Sequence, residues 1–254
     1  MKTQTEDMPF LRAMVDCSRI VGRAWKVMCP TVNQIVNGVS LRVAQERLEP
    51  IYRQIREWQC STAVTNFYKQ QNLLNPWQCR CLKTSLYLRA NELCIYLCKP
   101  ILVFYNSLAE NRNTLDFART LAKDSISVLV EFHRCCSGMR VLPFIYNNYV
   151  GSALATLFLA IVQEPHRYNR RQGDCRAAMF AAKELIEELE RIDFVERKLY
   201  TCSRQLFAEM ARCRILGQDP DRPHGDDPEP ASAEEFATAL TLIEPLFGRA
   251  GHSA

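Results

Sequence analysis

Residues 78–107 read QCRCLKTSLYLRANELCIYLCKPILVFYNS. Within them Leu82, Leu86, Ala90, Leu93 and Leu97 recur at intervals of three or four. That interval keeps side chains on one face of an α-helix, whereas a half-buried strand alternates every second residue. The stretch therefore predicts a long helix. Pro100 lacks an N–H, and its ring crowds the carbonyl four residues back. A kink or break is expected near Cys98–Lys99.

The same period continues on both sides. Upstream, a helix is expected from about Met8 to Met28, stopped by Pro30, with Leu11, Met14, Val15, Ile20, Val21 and Trp25 as its apolar positions. Residues 29–40 read as a loop. A second helix is expected over Leu41–Cys60, with Leu41, Ala44, Leu48, Ile51, Ile55 and Trp58 on one face and Pro50 bending or splitting it. Residues 61–77 are polar and mixed. Downstream, a helix starting at Asn113 or Thr114 carries Phe117, Leu121, Ile126, Leu129 and Val130 and stops before Gly138.

Pro143 stands where the next helix can begin. That helix contains Tyr149–Val162, YVGSALATLFLAIV, fourteen residues without a charge. A membrane-spanning helix needs about 20 apolar residues. The segment reads as a helix buried on most sides within a bundle, and no membrane partner is expected. A basic loop follows, His166 to Gly173. Asp174 caps a helix with Ala178, Ala181, Leu185 and Leu189 on one side and Glu184, Glu187, Glu188 and Glu190 largely on the other. A last long helix takes Phe194–Leu216, closed by Gly217.

No period-two run is long enough to build a sheet. The expected fold is all-α, an irregular bundle of seven to nine helices. Residues 1–216 form its body. Residues 217–231, GQDPDRPHGDDPEPA, contain four prolines and five acids and read as a linker. Residues 232–254 hold a short helix that opens on the capping box Ser232-x-x-Glu235, followed by a tail.

Charge separates along the same boundary. The chain carries 32 basic and 28 acidic residues. Residues 217–254 hold eight of the acids against Arg222 and Arg249, a net −6, so the body is +10. A basic body suits a polyanionic partner or simply coats exposed helix faces. Nine glycines are few for 254 residues and disfavour a fold rich in phosphate loops and tight βα turns.

Twelve cysteines contain no C-x2-C pair, the usual half of a zinc site. The close pairs are Cys79-x-Cys81, Cys94-x3-Cys98 and Cys135–Cys136. Met1–Asp7 is polar with no apolar stretch behind it, so export is not expected and the thiols read as small hydrophobes. P-loop, G-x-G-x-x-G, G-x-S-x-G and H-E-x-x-H motifs are absent from the sequence. His133 lies near Cys135 and Cys136, either a base beside a nucleophile or a structural histidine. The glutamates 184, 187, 188 and 190 lack the Glu-x-x-His partners of a di-metal bundle and read as a solvated face. His166–Arg171 is either a phosphate-binding loop or an exposed connection. No catalytic residue, no metal ligand and no cofactor is assigned.

The tail supports two readings. Glu234, Glu235 and Phe236, followed by Leu240, Leu242, Ile243, Leu246 and Phe247, interleave acids with bulky apolar residues. Such a segment docks as a helix in a partner's groove, as transcriptional activation segments do, or packs back on its own bundle.

Taken in order, the helices resemble the middle homology region of fungal zinc binuclear cluster transcription factors, the fungal-specific transcription factor domain. Leu11–Met28 (LRAMVDCSRIVGRAWKVM), with its central Gly22-Arg23, precedes Leu48–Trp58 (LEPIYRQIREW). Leu86–Leu102 (LYLRANELCIYLCKPIL) ends in Leu97-Cys98-Lys99-Pro100-Ile101, similar to the family's L-h-R-P-hydrophobic ending. Leu115–Val130 and the helix after Pro143 follow in the family's order, and the likeness covers residues 8–216. The resemblance implies an all-α regulatory domain, not an enzyme. It implies a nuclear location, protein partners, a possible small-molecule effector, and a setting beside secondary-metabolite genes. The family's DNA-reading cluster, built on two C-x2-C pairs, has no counterpart here, so direct DNA binding through that module is not expected. The alternatives are an accessory biosynthetic protein or enzyme using a bundle-core site, and a non-catalytic scaffold.

Overall fold

In a computed structural model of the chain, the structure describes residues 9–38, 40–61, 76–104, 108–135, 143–164, 174–191, 195, 197–212, 241 and 243. Among them stand seven long helices and no strand, so the fold is all-α. The helices are α1 (Pro9–Val36), α2 (Leu41–Gln59), α3 (Pro76–Phe104), α4 (Leu108–Cys135), α5 (Pro143–Gln163), α6 (Asp174–Arg191) and α7 (Arg197–Arg212). Seven is the lower end of the expected range. The sequence reading draws one body over residues 1–216; the helices group into two compact units, residues 1–106 and 107–254.

In the first unit α1, α2 and α3 each pack against the other two. The turn from α1 to α2 is made by Gly38, whose φ of 84° is the left-handed conformation that suits glycine. Its N–H returns to the Ile35 carbonyl at 3.0 Å, and the Asn37 side-chain amide donates to the Asn33 carbonyl at 2.8 Å. The first bond uses a carbonyl that the helix end leaves open, and the second adds to the Asn37 backbone bond on the same carbonyl. The buried side of α2 is Leu41, Ala44, Leu48, Ile51, Ile55 and Trp58, the set expected from spacing.

Three helices continue through a proline where a stop, split or kink is expected. α1 runs past Pro30 to Val36, α2 is unbroken at Pro50, and α3 passes Pro100 to end at Phe104. Residues 29–36 are thus helix, not loop. An interior proline costs a helix about 3 kcal/mol. In each case buried side chains on the far side offset that. Thr31 and Ile35 are buried beyond Pro30, Ile51 and Ile55 beyond Pro50, and Ile101 and Leu102 beyond Pro100. A fully buried Ile or Leu contributes about 1.5–3 kcal/mol, so the pairs beyond Pro50 and Pro100 match or exceed the loss, while beyond Pro30 the single Ile35 offsets about half of it or more. Pro30 and Pro50 face solvent. The Pro50→Ala substitution restores a backbone bond at an exposed position. It is expected to raise the stability of the first unit by about 2 kcal/mol, read as a higher urea midpoint. An unchanged or lower midpoint would show that the ring makes contacts of its own.

In the second unit α4 packs on α5 and α6, α6 also packs on α5, and α7 lies against α5 and α6. Helix α5 begins at Pro143 as expected, and every residue from Tyr149 to Val162 is buried. A helix apolar all round has no solvent face to offer, and here three others cover it. α4 begins at Leu108, several residues before the expected Asn113 or Thr114. Its buried side is Leu115, Ala118, Ala122, Ile126, Leu129 and Phe132, while Phe117 is exposed. The buried side of α6 is Cys175, Met179, Ala182, Leu185, Ile186 and Leu189; Ala178 and Ala181 sit on its margin. α7 buries Leu199, Ser203, Leu206, Phe207 and Met210. No described helix is long and apolar enough to cross a membrane.

Candidate functional site

Helix α1 carries the least expected surface. Its buried face is Ala13, Cys17, Ile20, Ala24, Met28, Thr31 and Ile35, mostly small side chains. Leu11, Val15 and Trp25, among the apolar positions expected of this helix, are 51%, 43% and 40% exposed. The small residues lie on the side turned to α2 and α3, which leaves Leu11 and Val15 in water and Trp25 at the margin beside α3. Ser18, Gly22 and Cys29 are exposed beside them, and a side chain added at Gly22 would meet open space. Trp25 rests edge-on against Tyr96 of α3, with ring centres 5.6 Å apart. Arg12, Arg19, Arg23 and Lys26 are all exposed on the same helix. Arg19 bonds Asp16 at 3.0 Å. An exposed pair of this kind contributes under about 1 kcal/mol, so it breaks easily for a better partner.

Beneath that surface lies a second group. The Tyr52 hydroxyl of α2 and the Cys98 thiol of α3 share a hydrogen bond of 3.2 Å. Burial pushes the Cys98 thiol up to about 12, against a lowering by Tyr52. Burial, reinforced by Cys98, pushes Cys94 up to about 12 as well. Tyr52 is raised for the same first reason, burial. Cys17 of α1 is raised by burial against the lowering effect of Arg89, whose guanidinium also bonds Glu92 at 2.9 Å. Burial raises Glu92, and Arg89 partly offsets it.

A thiol is nucleophilic only as the thiolate. At pH 8 a thiol titrating near 12 is ionised to about one part in 10⁴, so Cys94 and Cys98 serve packing. Native protein is expected to react with a thiol reagent at the exposed Cys29, Cys60 and Cys135 and to spare Cys17, Cys94 and Cys98 until it unfolds. Mass mapping of the labelled sites decides this. Labelling of Cys98 at the rate of Cys29 would refute the packing role. The folded values lie above the ordinary thiol value of 9.0, so the unfolded chain loses these protons first as pH rises. Their stabilising effect is full below pH 9 and is lost between 9 and about 12, at about 1.4 kcal/mol per pH unit for each thiol.

The other sequence candidates separate. His133 Nε2 meets Glu188 Oε2 at 3.1 Å, tying α4 to α6; Cys135 is exposed at the end of α4, and Cys136 lies outside the described residues. Glu184, Glu188 and Glu190 are exposed, and Glu187 bonds Lys183 at 3.4 Å. The buried Glu164 at the end of α5 bonds Arg112 of α4 at 3.1 Å. The buried hydroxyls of Thr31, Ser125, Thr156 and Ser203 donate to carbonyls of their own helices. Among the described residues no three His, Cys, Asp or Glu side chains converge as a metal site would require. The loop 166–171 and the linker 217–231 lie outside the described residues. Of the tail, Thr241 and Ile243 are described; both are helical, and Ile243 is buried.

Sequence spacing did not reveal the exposed α1 face. A signal was present, in that α1 carries apolar residues at too many positions for one stripe. Comparison with known protein families, with curated proteins and with solved structures finds no match.

Proposed function

We propose that this chain is a transcription regulator or co-regulator that acts in the nucleus through protein contacts, without catalysis. The single observation that supports it best is the α1 surface, with bulky apolar side chains held in water beside the exposed Arg12, Arg23 and Lys26. Exposed apolar side chains grouped on one face mark a place where another macromolecule binds. The all-α architecture is the one the resembled regulatory domain implies. The same resemblance suggests control of a secondary-metabolite gene cluster and a small-molecule effector. With no C-x2-C pair in the sequence, promoter binding would come through a DNA-binding partner. Chromatin precipitation of the tagged protein, with transcript profiling after its removal, tests the reading. The expected result is promoter occupancy that depends on a second protein, together with changed transcripts. Unchanged transcripts and no occupancy would overturn it.

A further inference from the structure

On α1, Leu11, Val15, Ser18, Gly22, Trp25 and Cys29 follow one another at steps of four, three, four, three and four. All six are exposed. These steps average 3.6 residues, one turn of an α-helix, and keep a single line of side chains along one face. The line runs for about five turns, or roughly 27 Å at 1.5 Å per residue. Large side chains stand on both sides of its middle, Leu11 and Val15 before it and Trp25 after it, with Cys29 closing the line. Ser18 and Gly22 leave the middle low, and a Cβ added at Gly22 would have no neighbour within 4 Å. A low centre between bulky neighbours receives side chains from a partner.

Charge selects the partner. Next to this line, the position one residue after Leu11, Ser18 and Trp25 is Arg12, Arg19 and Lys26. These three stand on the same flank of the seam, and Arg23 lies just behind them. In paired helices such flanking positions decide which chains associate. A second copy placed antiparallel would bring Arg12 toward Lys26 and Arg19 toward Arg19, which repels. A helix with acids on its matching flank would be drawn in.

We propose that the exposed face of α1 is a docking seam for an acidic amphipathic helix of another protein. The idea rests on the reading of this chain as one that works through protein contacts, and adds the chemistry of the partner. The apolar seam supplies affinity, while the basic flank supplies selection and rate.

The full chain is titrated with two synthetic helical peptides, both with Leu at the seam positions. One has Glu on both flanks and the other Lys. The Glu peptide is expected to bind at least about tenfold more tightly than the Lys peptide, a gap of about 1.4 kcal/mol, and to weaken with added salt. R19E/K26E is expected to reverse the preference. Gly22→Leu adds a side chain into open space on an exposed helix, so folding is retained or improved, and docking is lost. Equal binding of the two peptides would overturn the proposal. So would Gly22→Leu or R19E/K26E binding the Glu peptide like the parent, provided each variant keeps the parent's circular dichroism. Binding to anionic vesicles without peptide binding would assign the face to lipid, and concentration-dependent self-association without peptide binding to a second copy; both overturn it. The regulatory reading fails separately. If transcripts do not respond to loss of the protein while the Glu peptide binds, that reading falls and the seam stands.

Discussion

Trp58→Ala is expected to lower the stability of the first unit by about 3–5 kcal/mol, the usual cost of deleting a large buried aromatic side chain. Trp58 is 4% exposed at the C-terminal end of the α2 stripe. Its indole Nε1 donates to the Ala13 carbonyl of α1 at 2.8 Å. The ring therefore closes the open end of the α1–α2 pair, opposite the Gly38 turn. It does so by burial and by a directional bond in a dry site, where a lost partner is not replaced by water. Trp58→Phe separates the two effects. It keeps most of the apolar surface and removes the donor, with an expected loss of about 1–2 kcal/mol. The measurement is urea unfolding followed by circular dichroism, since the substitution removes a fluorophore. The midpoint should fall with little change in slope. A loss below about 1 kcal/mol for Trp58→Ala would show that the two helices do not depend on this anchor.

Phe158→Ala carries the second large effect, in the other unit. Phe158 is 1% exposed, the largest of the fully buried side chains, and sits on a helix covered by α4, α6 and α7. A helix enclosed this way cannot collapse onto a missing ring without moving its neighbours. The cavity stays open, and about 3–5 kcal/mol is expected to be lost. Thr156→Val on the same helix is the contrast. The Thr156 hydroxyl donates to the Ser152 carbonyl at 2.8 Å, which already accepts a backbone N–H. Removing the hydroxyl leaves no orphaned group, and the expected change is under about 1 kcal/mol. Equal losses for the two variants would mean that α5 is not packed as closely as its burial indicates.

The α2 helix was legible because one apolar stripe and one partner-facing side account for its pattern, so spacing alone yields Leu41 through Trp58. The α5 helix was legible because fourteen uncharged residues leave little choice but burial. The α1 helix misleads for a reason of size. Counting large apolar residues selects Leu11, Val15 and Trp25. Packing against α2 and α3 instead buries Ala13, Cys17, Ala24 and Thr31 along with Ile20, Met28 and Ile35, and the place of the small members shows only once neighbours are in place. The prolines mislead similarly, because their local cost is visible in the sequence and the offsetting burial of Ile35, Ile55 or Leu102 is not. The pairing of His133 with Glu188 joins residues far apart in the chain, so no local motif could announce it. The exposed face of α1 is not legible in the sequence, because spacing alone does not separate Leu11, Val15 and Trp25 from the buried Ile20.

The enclosure of α5 also bears on how the chain is made. Of its three covering helices, α4 precedes it in the chain, whereas α6 and α7 follow. A nascent chain that has released α5 holds an apolar cylinder wrapped on one side only until some fifty further residues emerge, roughly 3–10 s at typical rates of synthesis. During that interval its bare flank is open to chaperones and to other nascent chains. The yield of folded protein would then be set by how promptly α6 and α7 arrive, more than by the final stability of the bundle.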